Sequence, residues 1–287
     1  DDGGNGLLIE DGGDATFDGE VTFGDTNPMT ARTATQSLWI GTEQPASMTS
    51  YDTRIGYAAG KECTGQGNTF VGRTAGYQYG NSDGTYGVCI GEGAGYAAAA
   101  DYGTWVGRIA GYQWAGTSIA TGVGTSAGRG AVGAGGTFVG DAAGAYGGVG
   151  DNSQSHRVVC IGENAGYQAS GDYTCWMGYE AGKKAQEAIR CVGVGYYALK
   201  ESVNSYYSMA LGNEALSGTT GQYLVGLGFR SGKGSTGDDC SYLGTESGQL
   251  ATGDKVVAIG SYTASGNTGD DCVFLGYGAG KGNTTDD

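Results

Sequence analysis

The stretch Thr69-Phe70-Val71-Gly72-Arg73-Thr74-Ala75-Gly76-Tyr77 has a near twin in Val159-Cys160-Ile161-Gly162-Glu163-Asn164-Ala165-Gly166-Tyr167. The shared skeleton is an aliphatic residue, a glycine, two variable residues and Ala-Gly. It returns about every sixteen positions, with pivot glycines at 41, 56, 72, 91, 107, 124, 140, 162, 178, 195, 212, 228, 244, 260 and 276. Self-similarity at a short fixed period marks a solenoid. Two steps are longer, Gly72 to Gly91 and Gly140 to Gly162, and these are read as rungs carrying insertions.

Columns read across the repeats assign it to strands. The residue before the pivot is always apolar: Ile55, Val71, Ile90, Val106, Val123, Val139, Ile161, Met177, Val194, Leu211, Leu227, Leu243, Ile259 and Leu275. Three before the pivot stand β-branched residues such as Thr69, Val88, Thr104, Val192 and Val257. Alternation with a period of two plus β-branching indicates a short strand. About sixteen residues divide into two strands of roughly five with two tight turns, one rung of a parallel β-solenoid. The fold class is therefore all-β, a β-roll or β-solenoid of about fifteen rungs of 16–17 residues. At a rung spacing of about 4.8 Å it would be a rod on the order of 70 Å long.

The aliphatic column is expected to face a dry core within the chain. The intervening column, two before the pivot, alternates large with small: Phe70, Cys89, Trp105, Gly122, Phe138, Cys160, Trp176, Gly193, Ala210, Gly226, Tyr242, Ala258, Phe274. By strand geometry it points the opposite way, so something must cover it. A parallel homo-oligomer is the economical cover, with Phe70, Trp105, Phe138, Trp176, Tyr242 and Phe274 as expected interface anchors.

Composition narrows the classes. Sixty-one glycines with only two prolines in 287 residues exclude collagen, and apolar residues in fixed columns argue against disorder. A formal charge of −15 disfavours nucleic acid and anionic membrane as partners, and no apolar run is long enough to span a bilayer as a helix. Residues 1–32 lie outside the repeat and read as a strand-rich cap or lead-in, with 27–37 as a linker or irregular connection into the 33–287 repeat domain. The start resembles no signal peptide, and Asp286-Asp287 sits where Asp238-Asp239 and Asp270-Asp271 precede the next rung. The repeat is expected to continue past 287 in a longer product. Seven cysteines lack CxxC spacing, and six lie in the first strand of a rung as packing groups. Cys240 and Cys272 have the alternative of disulfides in an oxidising compartment.

The quoted segments resemble the head repeat of YadA-like trimeric adhesins, and similar repeats occur in bacteriophage tail fibres. The likeness covers residues 38–280. It implies a left-handed β-roll with three chains side by side, acting as a shaft or adhesive head on a virion or cell surface. The period is somewhat longer than in adhesin heads, and neither a coiled-coil stalk nor a membrane anchor is present, which favours a phage tail appendage. Bacterial adhesin heads and polysaccharide-degrading tailspikes are the rivals. An ice-binding solenoid ranks lower, because the Thr column sits beside a column read as inward.

No catalytic, cofactor or metal site is expected. Glu92, Asp141, Glu163, Glu180, Glu214 and Glu246 line up after the pivot, but a position repeated along a rod reads as a solvated turn edge. His156 is the only histidine, which leaves no His-rich metal site. The Gly-Asp-Asp repeats lack the nonapeptide spacing of calcium-binding β-rolls, and Asp is favoured in turns. The Tyr stripe Tyr77, Tyr96, Tyr112 and Tyr167, sharing its column with Lys61, Lys183, Lys233 and Lys281, reads either as a sugar-stacking surface or as packing. Receptor contact is expected at the insertions, through Tyr79, Asn81, Asp83, Tyr86, Asn152, Gln154, His156 and Arg157. The expected partners are the chain itself, other appendage proteins and a host surface glycan or protein.

Overall fold

The computed structural model describes residues 29–32, 37–41, 51–80, 86–99, 101–116, 119–147 and 155–285. Sixteen strands form one sheet in strict chain order, from Met29–Arg32 to Val273–Leu275. The first pair is antiparallel, with Met29 opposite Ile40, and every later pair is parallel. The fifteen parallel strands make an all-β solenoid, as the repeat predicts. Met29–Arg32, placed in an irregular connection by the sequence, is instead a strand that lies against the first rung.

Register follows the pivot glycines even where the period changes. Phe70 pairs with Cys89 across the nineteen-residue step, and Phe138 with Cys160 across the twenty-two-residue step. At the second, the strands lengthen to Gly133–Val139 and Ser155–Ile161, so the longer rung widens the sheet locally without shifting it. The pivots themselves set this register. A Cβ on Gly72 (φ +132°) would lie 2.6 Å from the carbonyl oxygen of Gly91, and the same crowding recurs from pivot to pivot. Only glycine allows successive rungs to approach this closely in that backbone conformation.

Each rung has one strand, mostly three residues long, where the sequence suggests two. The leg after the pivot alternates right- and left-handed residues, with Thr74 (φ 54°), Gly76 (φ 63°) and Gln78 (φ 54°) as one instance. It still bonds rung to rung: Thr74 N–H donates to Tyr57 O at 2.8 Å, Gly76 N–H to Ala94 O at 2.8 Å and Gln78 N–H to Lys61 O at 3.0 Å. The Ala-Gly pair thus builds a tight curved leg whose backbone groups are satisfied without extended geometry.

The core is the column of middle strand residues. Phe70, Cys89, Trp105, Cys160, Trp176, Tyr242 and Ala258 are fully buried within the single chain, joined by the Ala column of the opposite leg. Large and small side chains alternate because rungs share interior space. The Trp105 ring lies over Gly111 of its own rung and Gly122 of the next, and Trp176 over Gly182 and Gly193 in the same way, leaving no room for a Cβ. Trp114 extends the cluster, 5.5 Å from Trp105 and 5.6 Å from Phe138 between ring centroids. Between Trp39 and Phe70 this column holds Arg54, buried and paired to buried Asp52 at 2.7 Å. Its guanidinium also donates to Gly60 O at 2.7 Å and sits 5.9 Å from the Phe70 ring centroid.

Trp105→Ala should cost about 3–5 kcal/mol, because the glycines around the ring have no side chains with which to fill the void. Denaturant unfolding followed by circular dichroism reads this directly. A loss under about 1 kcal/mol would contradict the packing described.

Candidate functional site

Because the middle residue of each strand points inward, the residues on either side of it point out. The aliphatic column before the pivot is half-buried to exposed, with Leu211 49%, Ile259 41% and Ile161 37% accessible. The column three before the pivot, including Thr69, Val88, Thr104 and Val192, is half-buried beside it. This reverses the expectation from the sequence. Phe70, Trp105, Phe138, Trp176 and Tyr242 are buried inside the chain, and Phe274 packs against that core, so these side chains are not available to a neighbouring chain. The physical reason is the close Ala-Gly leg, which leaves interior room for one large side chain shared between adjacent rungs and none for a continuous aliphatic column.

The outward sheet face therefore carries two parallel ladders, one aliphatic throughout and one of Thr, Val and a few other residues. Its N-terminal half is a Thr-x-aliphatic ladder, Thr53 to Thr137 with a break at Val88, and its C-terminal half is largely Val-x-aliphatic. Turning the Thr column outward removes the objection that it borders an inward row. Its break and early end still leave it short of the continuous array an ice-binding face needs.

The turn legs carry aromatic ladders. Tyr77 stacks on Tyr96 and Tyr96 on Tyr112, each at 5.0 Å with interplanar angles of 7° and 14°. Arg129 continues the column, 5.5 Å from both the Tyr112 and Tyr146 rings. A ring at each rung spacing covers the face of the next, so this stretch of the stripe packs along the rod and leaves only ring edges outward. The stripe is interrupted at Ala145; Tyr146, one position later in its rung, meets the Tyr167 ring at 5.8 Å and nearly perpendicular, at 83°, and Lys183 lies 5.7 Å from the Tyr167 ring centroid. A groove of about 720 Å³ opens there, lined by Tyr146, Tyr167, Gln168, Lys184 and Gln186.

Charged groups on the legs are mostly used between rungs. Glu180 binds Lys183 and Lys200, each at 2.7 Å. Burial alone would raise its carboxyl, but hydrogen bonds from the two ammonium groups outweigh that and hold it below the ordinary carboxylate range. Glu214, paired with Lys233 and with Arg230 at 3.3 Å, is held down chiefly by the lysine hydrogen bond. The Asp-Asp turns are structural as well. Asp238, Asp254 and Asp270 each accept the backbone N–H of the preceding rung, from Gln222, Asp238 and Asp254 at 2.7–2.8 Å. Among the described residues no group of three or more His, Cys, Asp or Glu side chains could hold a metal ion. Six cysteines, Cys63, Cys89, Cys160, Cys191, Cys240 and Cys272, are buried free thiols, and burial pushes Cys191 up to about 11.

The expected receptor residues divide. Tyr79 is fully buried against Phe70 at 5.6 Å, with its hydroxyl accepting from Gly103 N–H at 3.0 Å, so it belongs to the core. It occupies the inward position seven after the pivot, the position that buried Trp114 holds in its own rung. Tyr86 is exposed and stacks on Tyr102 at 5.6 Å. Arg157 is exposed, 6.0 Å from the Tyr173 ring centroid, and His156 lies within the strand Ser155–Ile161. Asn81, Asp83, Asn152 and Gln154 fall outside the described residues.

Depressed carboxyls make a pH prediction. Glu180 and Glu214 bind protons less readily folded than unfolded, so their stabilisation is present above the unfolded carboxylate pKa of about 4.3 and is lost as pH falls through the lower folded values. The double variant Glu180→Gln, Glu214→Gln should therefore lose less melting temperature between pH 5 and pH 2.5 than the parent. Parallel acid limbs would remove these two ion clusters from the account. Compared with known proteins, the chain matches no family model, no curated protein and no solved structure.

Proposed function

We propose that this chain is a structural rod segment of a bacteriophage tail fibre or a similar surface appendage, assembled as a parallel homotrimer and presenting receptor contacts on its outer turns. The observation that carries the reading is the outward sheet face, with its continuous aliphatic ladder beside a largely β-branched one. A strip about 70 Å long and about 10 Å wide amounts to roughly 700 Å² per chain, close to the 800 Å² or so per partner of a standard stable interface. Soluble monomers seldom leave so regular an apolar surface open. Three chains meeting on these faces would bury them along a common axis and leave the aromatic and charged legs outward. The resemblance to adhesin-head and tail-fibre repeats supports the same arrangement, including a left-handed roll.

In this role the chain performs no chemistry of its own. Its work is to hold its length and to repeat weak surface contacts threefold, so that avidity replaces single-site affinity. A bacterial trimeric adhesin head would use the same rod, and the genes beside this one distinguish a virion protein from a cell-surface one.

Sedimentation velocity should give a trimer for the parent chain, and Ile161→Asp with Leu211→Asp should give a monomer whose far-ultraviolet circular dichroism is unchanged. A monomeric parent, or a trimer indifferent to both charges, would sink this reading.

A further inference from the structure

We infer that the groove at Tyr146 and Tyr167 is a binding site for a carboxylate-bearing saccharide, a uronate or sialate unit of a surface polysaccharide. The inference rests on the surface-appendage reading and adds a place and a ligand class to it. A saccharide ring needs an open edge of aromatic surface beside polar groups that can meet its hydroxyls. Along the leg, Tyr77, Tyr96 and Tyr112 cover one another, whereas Tyr146 and Tyr167 meet nearly perpendicular, with Arg129 5.5 Å over the first ring and Lys183 5.7 Å over the second, so ring edges flanked by cations line the groove.

The polar lining fits the same ligand. Among the described residues, the side-chain amides of Gln168 and Gln186 and the ammonium of Lys184 make no hydrogen bond or ion pair, and all three side chains are exposed around the groove. Amides present a donor and an acceptor side by side, the pairing that vicinal hydroxyls require. Lys184 differs from its neighbours: Lys183 and Lys200 are both committed to Glu180, while Lys184 forms no ion pair, even with Glu201 one rung on. On a chain of net charge −15, a free ammonium beside an aromatic groove selects a local negative charge on an otherwise neutral, hydroxylated ligand. Its position is fixed by the backbone, since Gln168 (φ 53°) and Lys184 (φ 57°) occupy the same left-handed position in successive rungs, and Lys184 N–H bonds to Tyr167 O at 2.8 Å.

The test is an array of uronate- and sialate-bearing oligosaccharides beside their carboxyl-reduced or asialo counterparts, probed with the full chain and followed by calorimetry on the best binders. Acidic members should be retained over neutral ones. Lys184→Ala should weaken that binding at least tenfold, Gln186→Ala severalfold, and Glu201→Gln should strengthen it by removing a negative charge one rung on that repels an acidic ligand. Lys255→Ala, far along the rod and paired with Asp271 at 3.4 Å, should change nothing. No preference for acidic members, or binding that survives Lys184→Ala, overturns the site. Sedimentation of the same samples separates the outcomes, because a trimer that binds no acidic saccharide refutes this groove and leaves the appendage reading standing.

Discussion

One pivot glycine stacked on the next is the contact from which the rest of the molecule follows. The carbonyl of each pivot occupies the space where a side chain on the preceding one would stand, so rungs meet at this point in a single register. Once that register is set, every other position in the repeat becomes a column, and a column can have only one kind of surroundings. The longer rungs illustrate how strong the constraint is: three or six additional residues leave the pairing of Phe70 with Cys89 and of Phe138 with Cys160 intact.

Much of this was legible in the sequence. The period, the strand position, the parallel order and the insertions follow from glycine spacing and β-branching alone. Which face of the strand points inward was not. Hydrophobicity ranks Ile, Val and Leu as core, and a column that alternates Trp with Gly looks too uneven to fill an interior. The uneven column is nevertheless the one that fits, because Trp105 and Trp176 each reach over a glycine of the following rung. The signal available was the coincidence of a large residue with glycine at the same column one rung later, as in Trp105 and Gly122 or Trp176 and Gly193. Arg54 was also missed, since one charged residue between Trp39 and Phe70 breaks an apolar column without signalling a buried ion pair with Asp52.

The legs follow a different rule from the strand. Left-handed backbone costs a non-glycine residue roughly 1–2 kcal/mol relative to right-handed helical geometry, yet Thr74, Gln78, Gln113, Gln168 and Lys184 all adopt it. Bonds from these N–H groups to neighbouring rungs offset that cost, and stacked rings add to it where tyrosine recurs. The same regularity makes the departure at Ala145 visible, where Tyr146 stands one position beyond the column and meets Tyr167 at 83° in place of a stacked ring.

The sheet's hydrogen bonds run from strand to strand, along the stacking direction, which has a mechanical consequence. Tension applied between the two ends loads the rungs in series, so a single chain would open like a zipper, a few bonds at a time and at low force. Lateral association of the proposed kind would change the loading: a rung in one chain could not peel away without also being dragged across the outward faces of its neighbours. In a tethered appendage, resistance to pulling would then reside in the contact between chains more than in the hydrogen bonds that define each one.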